Sequence, residues 1–252
     1  DLIVSTGGYA SFPGLFWARC LRIPYVLIEP NKVAGKVNRW FAGGARLIIT
    51  NYKDVLEEHS LKVSRLGVPL LLRPKNKEGA TLLAFGASQG AQSINRLMQK
   101  VVEDGFIRPI HWIVGSKNFE EFRDYNSLEG VLVEAFCDDM QSAYENAQLV
   151  LCRSGAGTVA EIHAMNLPAV FVPFPGHQDR QQYKNCEYLQ QAGCCLVWED
   201  SSLQNNLLDL KEFWSQKSNI QDMSSCYEKF SVNPIDACDK VVEELLKLLS
   251  RG

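Results

Sequence analysis

The sequence predicts an α/β protein built on parallel β-sheets, and three observations support this fold class. Short apolar runs alternate with longer amphipathic stretches along the chain, which is typical of repeated strand–helix–strand units. The strand-like runs are apolar at nearly every position, as expected for parallel strands covered by helices on both faces. Several of these runs end in glycine- and serine-rich turns that lead into a predicted helix.

The predicted elements fall into two groups. Strands are expected at residues 1–6, 24–29, 45–50, 81–86, 110–115, 130–136, 147–153 and 168–174. Helices are expected at residues 91–103, 138–146, 157–166, 179–192 and 234–249. Residues 67–80, "GVPLLLRPKNKEGA", interrupt the alternation with Pro, Gly and Lys, which indicates a linker.

The domain organisation follows from these groups. We expect a partial first domain over residues 1–66, a complete second domain over 81–233, and a C-terminal helix over 234–252 that can return to the first domain. The first domain is expected to be incomplete because "DLIVST" already forms a parallel strand at residue 1, and such a strand needs neighbours. The chain is therefore expected to be the latter part of a longer protein.

Composition excludes several classes of protein. The 252 residues are 46% hydrophobic and 22% charged, as in ordinary globular proteins. A formal net charge of −3 argues against a nucleic-acid partner, because duplex-binding domains are usually basic. Eight cysteines without a CxxC pair indicate neither a zinc site nor a disulfide framework, and a reducing cytoplasm fits them best. No apolar run is long enough to span a bilayer.

The first polar loop is "FGASQGAQSINR", residues 85–96, between a predicted strand and a predicted helix. In doubly wound sheets, ligands bind beside such loops at the carboxyl ends of the strands. Gly86, Ser88 and Gly90 could bring a phosphate close to free backbone N–H groups at the start of the helix. A tight turn in which Ser88 caps the helix explains the pattern equally well.

The second polar loop, "CRSGAGTVAEIHA", allows two interpretations of Glu161. Thr158 and Glu161 have the S/T-x-x-E spacing of a reciprocal capping box. Alternatively, the Glu161 carboxylate accepts hydrogen bonds from the two hydroxyls of a ribose.

The third polar loop, "PFPGHQDRQQ", leads into a helix near Asp179. Asp179 could be its N-cap, with Arg180, Gln181 and Gln182 in a solvated first turn. The two amides also suit sugar hydroxyls, because each can donate and accept hydrogen bonds. Three polar loops at one edge of a sheet favour a ligand site over capping alone.

Five stretches are more specific than these local patterns. They are "STGGYASFPG", "EPNKVAGKVNRWFA", "GASQGAQSIN", "FCDDMQSAYENAQLVLCRSGAGTVAEI" and "LPAVFVPFPGHQDRQQYKNCEYLQQAG". In this order and spacing they resemble the MurG-type glycosyltransferases of peptidoglycan synthesis, from Thr6 to about Gly193 and more loosely to the end. The resemblance implies the GT-B fold, with two Rossmann-like doubly wound domains, the first of them incomplete here.

The resemblance also implies an activity and its partners. The enzyme would be an inverting transferase that needs no cofactor and no metal. It would move N-acetylglucosamine from UDP-N-acetylglucosamine to the polyprenyl-diphosphate-linked muramyl-pentapeptide, as a peripheral protein at the cytoplasmic face of the inner membrane. Another nucleotide-sugar glycolipid transferase, an epimerase of the same fold, or a non-catalytic UDP-sugar-binding fragment remain alternatives.

Residue roles follow from the matched motifs. Ser88 and Gln89 would contact the diphosphate or the sugar, and main-chain groups at Cys137 would bind the uracil edge. Ala156 and Thr158 would lie near the phosphates and Glu161 at the ribose, while Gln181 and Gln182 would hold the sugar hydroxyls. The resemblance assigns the acceptor side to three further residues, Tyr9, Ser11 and Asn31.

Two departures from the family pattern concern donor contact and catalysis. Leu71 stands where the family has an arginine that contacts the donor, and Arg73 lies two residues further on. The family's glycine-rich loop with its histidine precedes the first residue of this sequence. The general base therefore has no assignment among the four histidines, of which only His177 is expected near the sugar.

Aromatic and basic residues occur together in "FPGLFWARCLR" and "KVAGKVNRWFA". Phe16, Trp17 and Trp40, with nearby Arg and Lys, suit contact with an anionic membrane surface. A core-facing aromatic stripe with a solvated basic face is the alternative for each helix.

Overall fold

The computed structural model describes residues 1–72, 79–86, 90–107, 109–176, 179–230 and 236–250, with the side chain of Ser60 excepted. The chain divides into two compact units. The first comprises residues 1–71 together with the C-terminal helix, and the second comprises the described residues from Leu72 to Phe230.

The first unit contains a four-stranded parallel sheet in the order β1-β2-β3-β4. Its elements are β1 (Ile3–Ser5), α1 (Phe12–Cys20), β2 (Tyr25–Glu29), α2 (Lys36–Phe41), β3 (Leu47–Thr50), β4 (Val63–Arg65) and the C-terminal helix α10 (Ala237–Ser250). Every residue of β2 and β3 is buried, so both strands are covered on both faces. Val241 of α10 joins the cluster formed by Val26, Ile28, Leu47 and Ile49.

The second unit contains a six-stranded parallel sheet in the order β10-β9-β8-β5-β6-β7. The strands are β5 (Thr81–Phe85), β6 (Ile110–Ile113), β7 (Val131–Glu134), β8 (Ala147–Cys152), β9 (Ala169–Phe171) and β10 (Cys195–Val197). The helices are α3 (Gln92–Asp104), α4 (Phe119–Phe122), α5 (Met140–Glu145), α6 (Ala156–Ala164), α7 (Gln181–Ala192), α8 (Leu207–Ser215) and α9 (Lys217–Ser225).

The strand order places a ligand crevice in the second unit. The chain runs from β5 outward to β6 and β7, then returns to the other side of β5 with β8 and continues to β9 and β10. Open α/β sheets bind ligands outside the carboxyl ends of the strands at such a reversal, because the connecting loops diverge there. The residues that follow β5 and β8 are therefore the expected site.

Core residues lie on both faces of the second sheet. Leu82 and Ala84 of β5 belong to one hydrophobic cluster, whereas the intervening Leu83 belongs to the other. This alternation is the strand period of two, here with apolar residues on both faces. Trp112 is fully buried in the first cluster, and its indole N–H donates to Oδ1 of Asn95 at 3.0 Å.

The predicted α/β fold class with two parallel sheets is confirmed. All eight expected strands and the five expected helices are present, with each element shorter or shifted by a few residues. The sequence did not indicate β4, β10, α4, α8 or α9. β4 and β10 are only three residues long and partly exposed, so their hydrophobic signal is weak.

Candidate functional site

A cavity of about 220 Å³ lies at the carboxyl ends of strands in the second sheet. Residues that end or follow β5, β6 and β7 supply one part of its wall, and α5 and α6 supply the rest. Its lining comprises Phe85, Gly86, Ile113, Ala135, Phe136, Cys137, Met140, Tyr144, Thr158 and Glu161. Three of the residues predicted from sequence, Cys137, Thr158 and Glu161, are thus brought together at the expected edge.

Glu161 is held in this cavity by a buried tyrosine. The Tyr144 hydroxyl donates to Oε2 of Glu161 at 2.8 Å, and the Tyr144 ring packs edge-on against Phe85. Burial raises the pKa of Tyr144 well above 10, and the nearby Glu161 charge raises it further. Tyr144 is therefore a permanent donor, and it fixes one carboxylate oxygen of Glu161. Within the described part of the chain, Oε1 of Glu161 has no hydrogen-bond partner.

The predicted capping box is wrong. Helix α6 begins at Ala156, Gly155 is its N-cap in an extended conformation, and no side chain caps it. Thr158 is consequently the third residue of the helix rather than the N-cap. Because the helix starts two residues before Thr158, the Glu161 side chain is not needed at the helix terminus and lines the cavity instead.

The start of α6 is suited to binding an anion. The first N–H groups of an α-helix have no acceptor within the helix, and they carry the positive end of its dipole. These groups belong to Ala156, Gly157 and Thr158, since the first intrahelical bond runs from Val159 N–H to the Gly155 carbonyl. Phosphates commonly bind at such termini. A carboxylate and an anion-binding terminus therefore lie on the same nine-residue helix.

Arg153 is a residue whose role the sequence did not reveal. Its guanidinium is buried and pairs with Oδ1 of Asp200 at 2.6 Å. It also donates to the carbonyls of Val172 and Pro173 at 3.0 and 3.2 Å, and to Ser93 Oγ at 3.1 Å. Arg153 thus ties the end of β8 to the first turn of α3 and to the chain leaving β9. The only sequence signal for the role of Arg153 was its position directly after an apolar strand.

The loop after β9 and the first turn of α7 contain four of the predicted polar residues, Asp179, Arg180, Gln181 and Gln182. Helix α7 begins at Gln181, and Asp179 Oδ1 accepts the Gln181 backbone N–H at 3.2 Å without being the N-cap. The N-cap is Arg180, which has a φ of 50°. Oε1 of Gln182 accepts the backbone N–H of Phe174 at 2.9 Å, which closes the loop. Neither Gln181 nor Gln182 lines the cavity, and the expectation that they bind a sugar stays a prediction.

The glycine loop after β5 is described only at its ends. Ser88 and Gln89 lie outside the described residues, as do Arg73 and His177. A Cβ on Gly86 would lie 2.3 Å from the backbone nitrogen of Ala91, so only glycine fits at this position. The loop is therefore closely packed where it leaves the strand.

The first unit contains the three residues expected on the acceptor side. Tyr9 is exposed, whereas Ser11 Oγ donates to the Gly8 carbonyl at 2.8 Å. Asn31 donates to Oε1 of Glu29 from its backbone N–H at 3.0 Å and from its side chain at 3.1 Å. Glu29 is almost fully buried and was not singled out from the sequence. Its hydrogen bonds fix the loop that presents Asn31.

Helices α1 and α2 present an aromatic surface formed by Phe12, Phe16, Trp17 and Trp40. Trp17 and Trp40 are each 60% exposed, and α1 buries only Leu15 and Ala18. The alternative of a core-facing aromatic stripe is therefore wrong for these side chains. Arg19 lines a depression in this surface together with Phe12, Phe16 and Trp40. Among the described helices, none combines the length and hydropathy needed to cross a membrane.

Comparison with known proteins identifies relatives of both units. Residues 81–236 match the glycosyltransferase family 28 C-terminal domain. Two relatives are described as UDP-N-acetylglucosamine–N-acetylmuramyl-(pentapeptide) pyrophosphoryl-undecaprenol N-acetylglucosamine transferases. The Haemophilus ducreyi protein is 35% identical over 89% of this chain and 67% of its own length. The Serratia proteamaculans protein is 34% identical over 98% of this chain and 72% of its own length.

Comparison with solved structures gives a result consistent with these sequence relatives. The crystal structure of MurG from Acinetobacter baumannii superposes with a TM-score of 0.78 and 25% identity, over 98% of this chain and 73% of that one. A UDP-GlcNAc 2-epimerase from Neisseria meningitidis bound to UDP-GlcNAc superposes with a TM-score of 0.65 at 12% identity, over 98% of this chain and 76% of that one. The second likeness shows the fold alone.

Proposed function

The chain belongs to the MurG-type N-acetylglucosamine transferase family, and from this premise we propose that it acts as an inverting glycosyltransferase. Its donor would be UDP-N-acetylglucosamine, and its acceptor the N-acetylmuramyl-pentapeptide carried on pyrophosphoryl-undecaprenol. Transfer to this lipid is a step of peptidoglycan synthesis. The chain covers 67 and 72% of the length of the two relatives named above, so the activity proposed is that of the whole enzyme.

One observation carries the donor assignment: Glu161 lines a cavity at the strand ends while Tyr144 holds one of its oxygens. A carboxylate with a second oxygen directed at a ligand can accept from the vicinal hydroxyls of a ribose. We assign the ribose to Glu161 and the uracil edge to main-chain groups at Cys137. The diphosphate would lie at the start of α6, near Ala156 and Thr158, where free N–H groups favour negative charge.

The remaining donor contacts are proposed from the family motifs. Ser88 and Gln89 would contact the diphosphate or the sugar, and Gln181 and Gln182 would hold the hydroxyls of N-acetylglucosamine. Because Gln182 Oε1 already accepts the Phe174 backbone N–H, Gln182 would donate to a sugar hydroxyl through its side-chain NH2 group. Tyr9, Ser11 and Asn31 would face the acceptor.

The proposed reaction is a single in-line displacement. The acceptor 4-hydroxyl attacks the anomeric carbon as a base removes its proton, and UDP departs with the pair of electrons from the broken bond. N–H groups at the start of α6 would stabilise the negative charge that grows on the diphosphate. Because these N–H groups would stabilise the leaving UDP, we propose that the transfer needs no cofactor. We assign the base to none of the described residues.

We further propose peripheral contact with the cytoplasmic face of an anionic membrane through the aromatic surface. Exposed tryptophans are favoured at the membrane interface, and basic side chains add attraction to anionic lipid. Flotation with vesicles tests this, with and without anionic lipid. Substitution of Trp17 and Trp40 by Ala should abolish flotation, whereas Phe106→Ala, which removes an exposed aromatic ring from the second unit, should not. Equal flotation of all variants would contradict the proposal.

The activity is tested by incubating the protein with labelled UDP-N-acetylglucosamine and a polyprenyl-diphosphate muramyl-pentapeptide. The proposal expects a β-linked disaccharide on the lipid and release of UDP. Epimerised donor formed without acceptor would instead support an epimerase. Donor binding without turnover would support a non-catalytic UDP-sugar-binding fragment.

A further inference from the structure

Three side chains with different metal-binding atoms meet at one edge of the second sheet. One ligand atom from each of His111, Glu134 and Cys137 lies within 4.8 Å of the other two. Nε2 of His111 is already 2.6 Å from Oε2 of Glu134. Imidazole nitrogen, carboxylate oxygen and thiolate sulfur are the three ligand types that proteins use for zinc. We propose that His111, Glu134 and Cys137 bind a zinc ion.

The register of the sheet explains why these residues converge. His111 of β6 pairs with Leu132 of β7, and Glu134 lies two residues beyond Leu132. Residues two apart on a strand share a face, so Glu134 is a diagonal neighbour of His111. Cys137 follows three residues later, where the chain turns towards α5. The ligands lack the C-x2-C spacing of zinc motifs, so the sequence does not indicate this cluster.

The cluster is open to an incoming ion. β7 is one of the two edge strands of its sheet, and the side chains of His111 and Glu134 are 14% and 36% exposed. Partial burial favours retention of the ion, while the exposed edge provides an entry path. Three protein ligands leave the fourth tetrahedral position to a water molecule.

The geometry requires only small shifts. Zinc lies about 2.0–2.2 Å from nitrogen and oxygen ligands and about 2.3 Å from sulfur, which puts tetrahedral ligand atoms roughly 3.3–3.6 Å apart. The His111–Glu134 pair would open by less than about 1 Å, and the loop bearing Cys137 would close on the ion. The thiol must lose its proton, so zinc uptake releases a proton and weakens at low pH.

A bound zinc ion would hold one wall of the cavity in place. Cys137 lines the cavity, whereas His111 and Glu134 lie outside it. An ion that joins all three would hold the loop Ala135–Cys137 against β6 and β7. Zinc takes no part in the sugar transfer in this proposal, and binding of the ion needs no nucleotide.

Competition with a chromophoric chelator measures zinc affinity for the full chain. The wild-type chain should bind zinc in a 1:1 complex, and Cys137→Ser and His111→Gln should each weaken binding by more than about tenfold. Cys20→Ser, which removes an exposed thiol far from the cluster in sequence, should bind as the wild type does. Glutamine at position 111 can still donate to Glu134, so this variant tests the ligand with the sheet edge intact.

Cobalt supplies a second readout. Co2+ in the wild-type site should give a thiolate-to-cobalt charge-transfer band that Cys137→Ser lacks. Zinc affinity that is unchanged in both Cys137→Ser and His111→Gln, or that is lost in Cys20→Ser, would overturn the proposal. Failure of the wild-type chain to bind zinc would also overturn it, without deciding the proposed function, because donor binding is measured separately by calorimetry.

Discussion

Removal of Arg153 should destabilise the second unit strongly while leaving the cavity residues in place. Its side chain is 11% exposed and that of its partner Asp200 is 21% exposed. Removing one partner of a buried ion pair costs about 3–5 kcal/mol, because the other charge stays buried without compensation. Ser93 still donates to Asp200 in the variant, so the loss should be about 3 kcal/mol.

The structure also predicts an intermediate effect for Arg153→Lys. A lysine can keep the charge pair with Asp200, but one ammonium cannot reach the carbonyls of Val172 and Pro173 and the Ser93 hydroxyl together. We expect this variant to lose about 1–2 kcal/mol, the value of one or two hydrogen bonds.

Urea unfolding at pH 7 measures both losses as changes in midpoint at constant slope. A double-mutant cycle with Asp200→Asn isolates the ion pair, whose coupling energy should exceed about 1 kcal/mol. If the free energy of unfolding of Arg153→Ala lies within about 0.5 kcal/mol of the wild-type value, Arg153 does not tie the three segments together.

Three further predictions follow from single contacts. Tyr144→Phe should weaken UDP-N-acetylglucosamine binding roughly tenfold, about 1.4 kcal/mol, because Glu161 loses the hydrogen-bond donor that orients it. Unchanged affinity in calorimetry would show that this hydrogen bond does not contribute to donor binding. Burial lowers the pKa of His163 from 6.5 to about 4, so its neutral form stabilises the fold above pH 6.5 and this stability is lost as the pH falls towards 4. Urea midpoints should therefore show the wild type losing about 3 kcal/mol more than His163→Phe over that range, and parallel pH profiles would contradict this. Gly86→Ala should lower the melting temperature because its Cβ would lie 2.3 Å from the Ala91 nitrogen; an unchanged melting temperature would show that the turn can adjust.

Most of the fold could be predicted from sequence because parallel strands buried on both faces leave a continuous apolar signal. Residues 24–29 illustrate this, since all five residues of β2 are buried. Short strands do not leave such a signal. β4 has three residues, none of them fully buried. Its pairing with β3 depends on the tertiary structure and leaves no local sequence pattern.

The candidate site was predicted only in part, for a physical reason. Glu161 could be proposed because it follows a glycine-rich strand-to-helix turn, although the local spacing favoured a capping box that the structure lacks. Tyr144 reaches Glu161 across 17 positions, and Arg153 reaches Ser93 across 60. Such contacts depend on how distant elements pack together, so they cannot be predicted from the local spacing of residues.

We propose above all that the Glu161 cavity binds the UDP part of the donor. Calorimetry with UDP-N-acetylglucosamine on the wild type, Glu161→Gln and Glu161→Ala tests it most directly, with the melting temperature of each variant measured in parallel. The structure predicts affinity at least about tenfold lower in both variants, with a much smaller effect on stability because Glu161 caps no helix. Donor binding that is unchanged in Glu161→Ala, together with a large loss of stability, would contradict the claim.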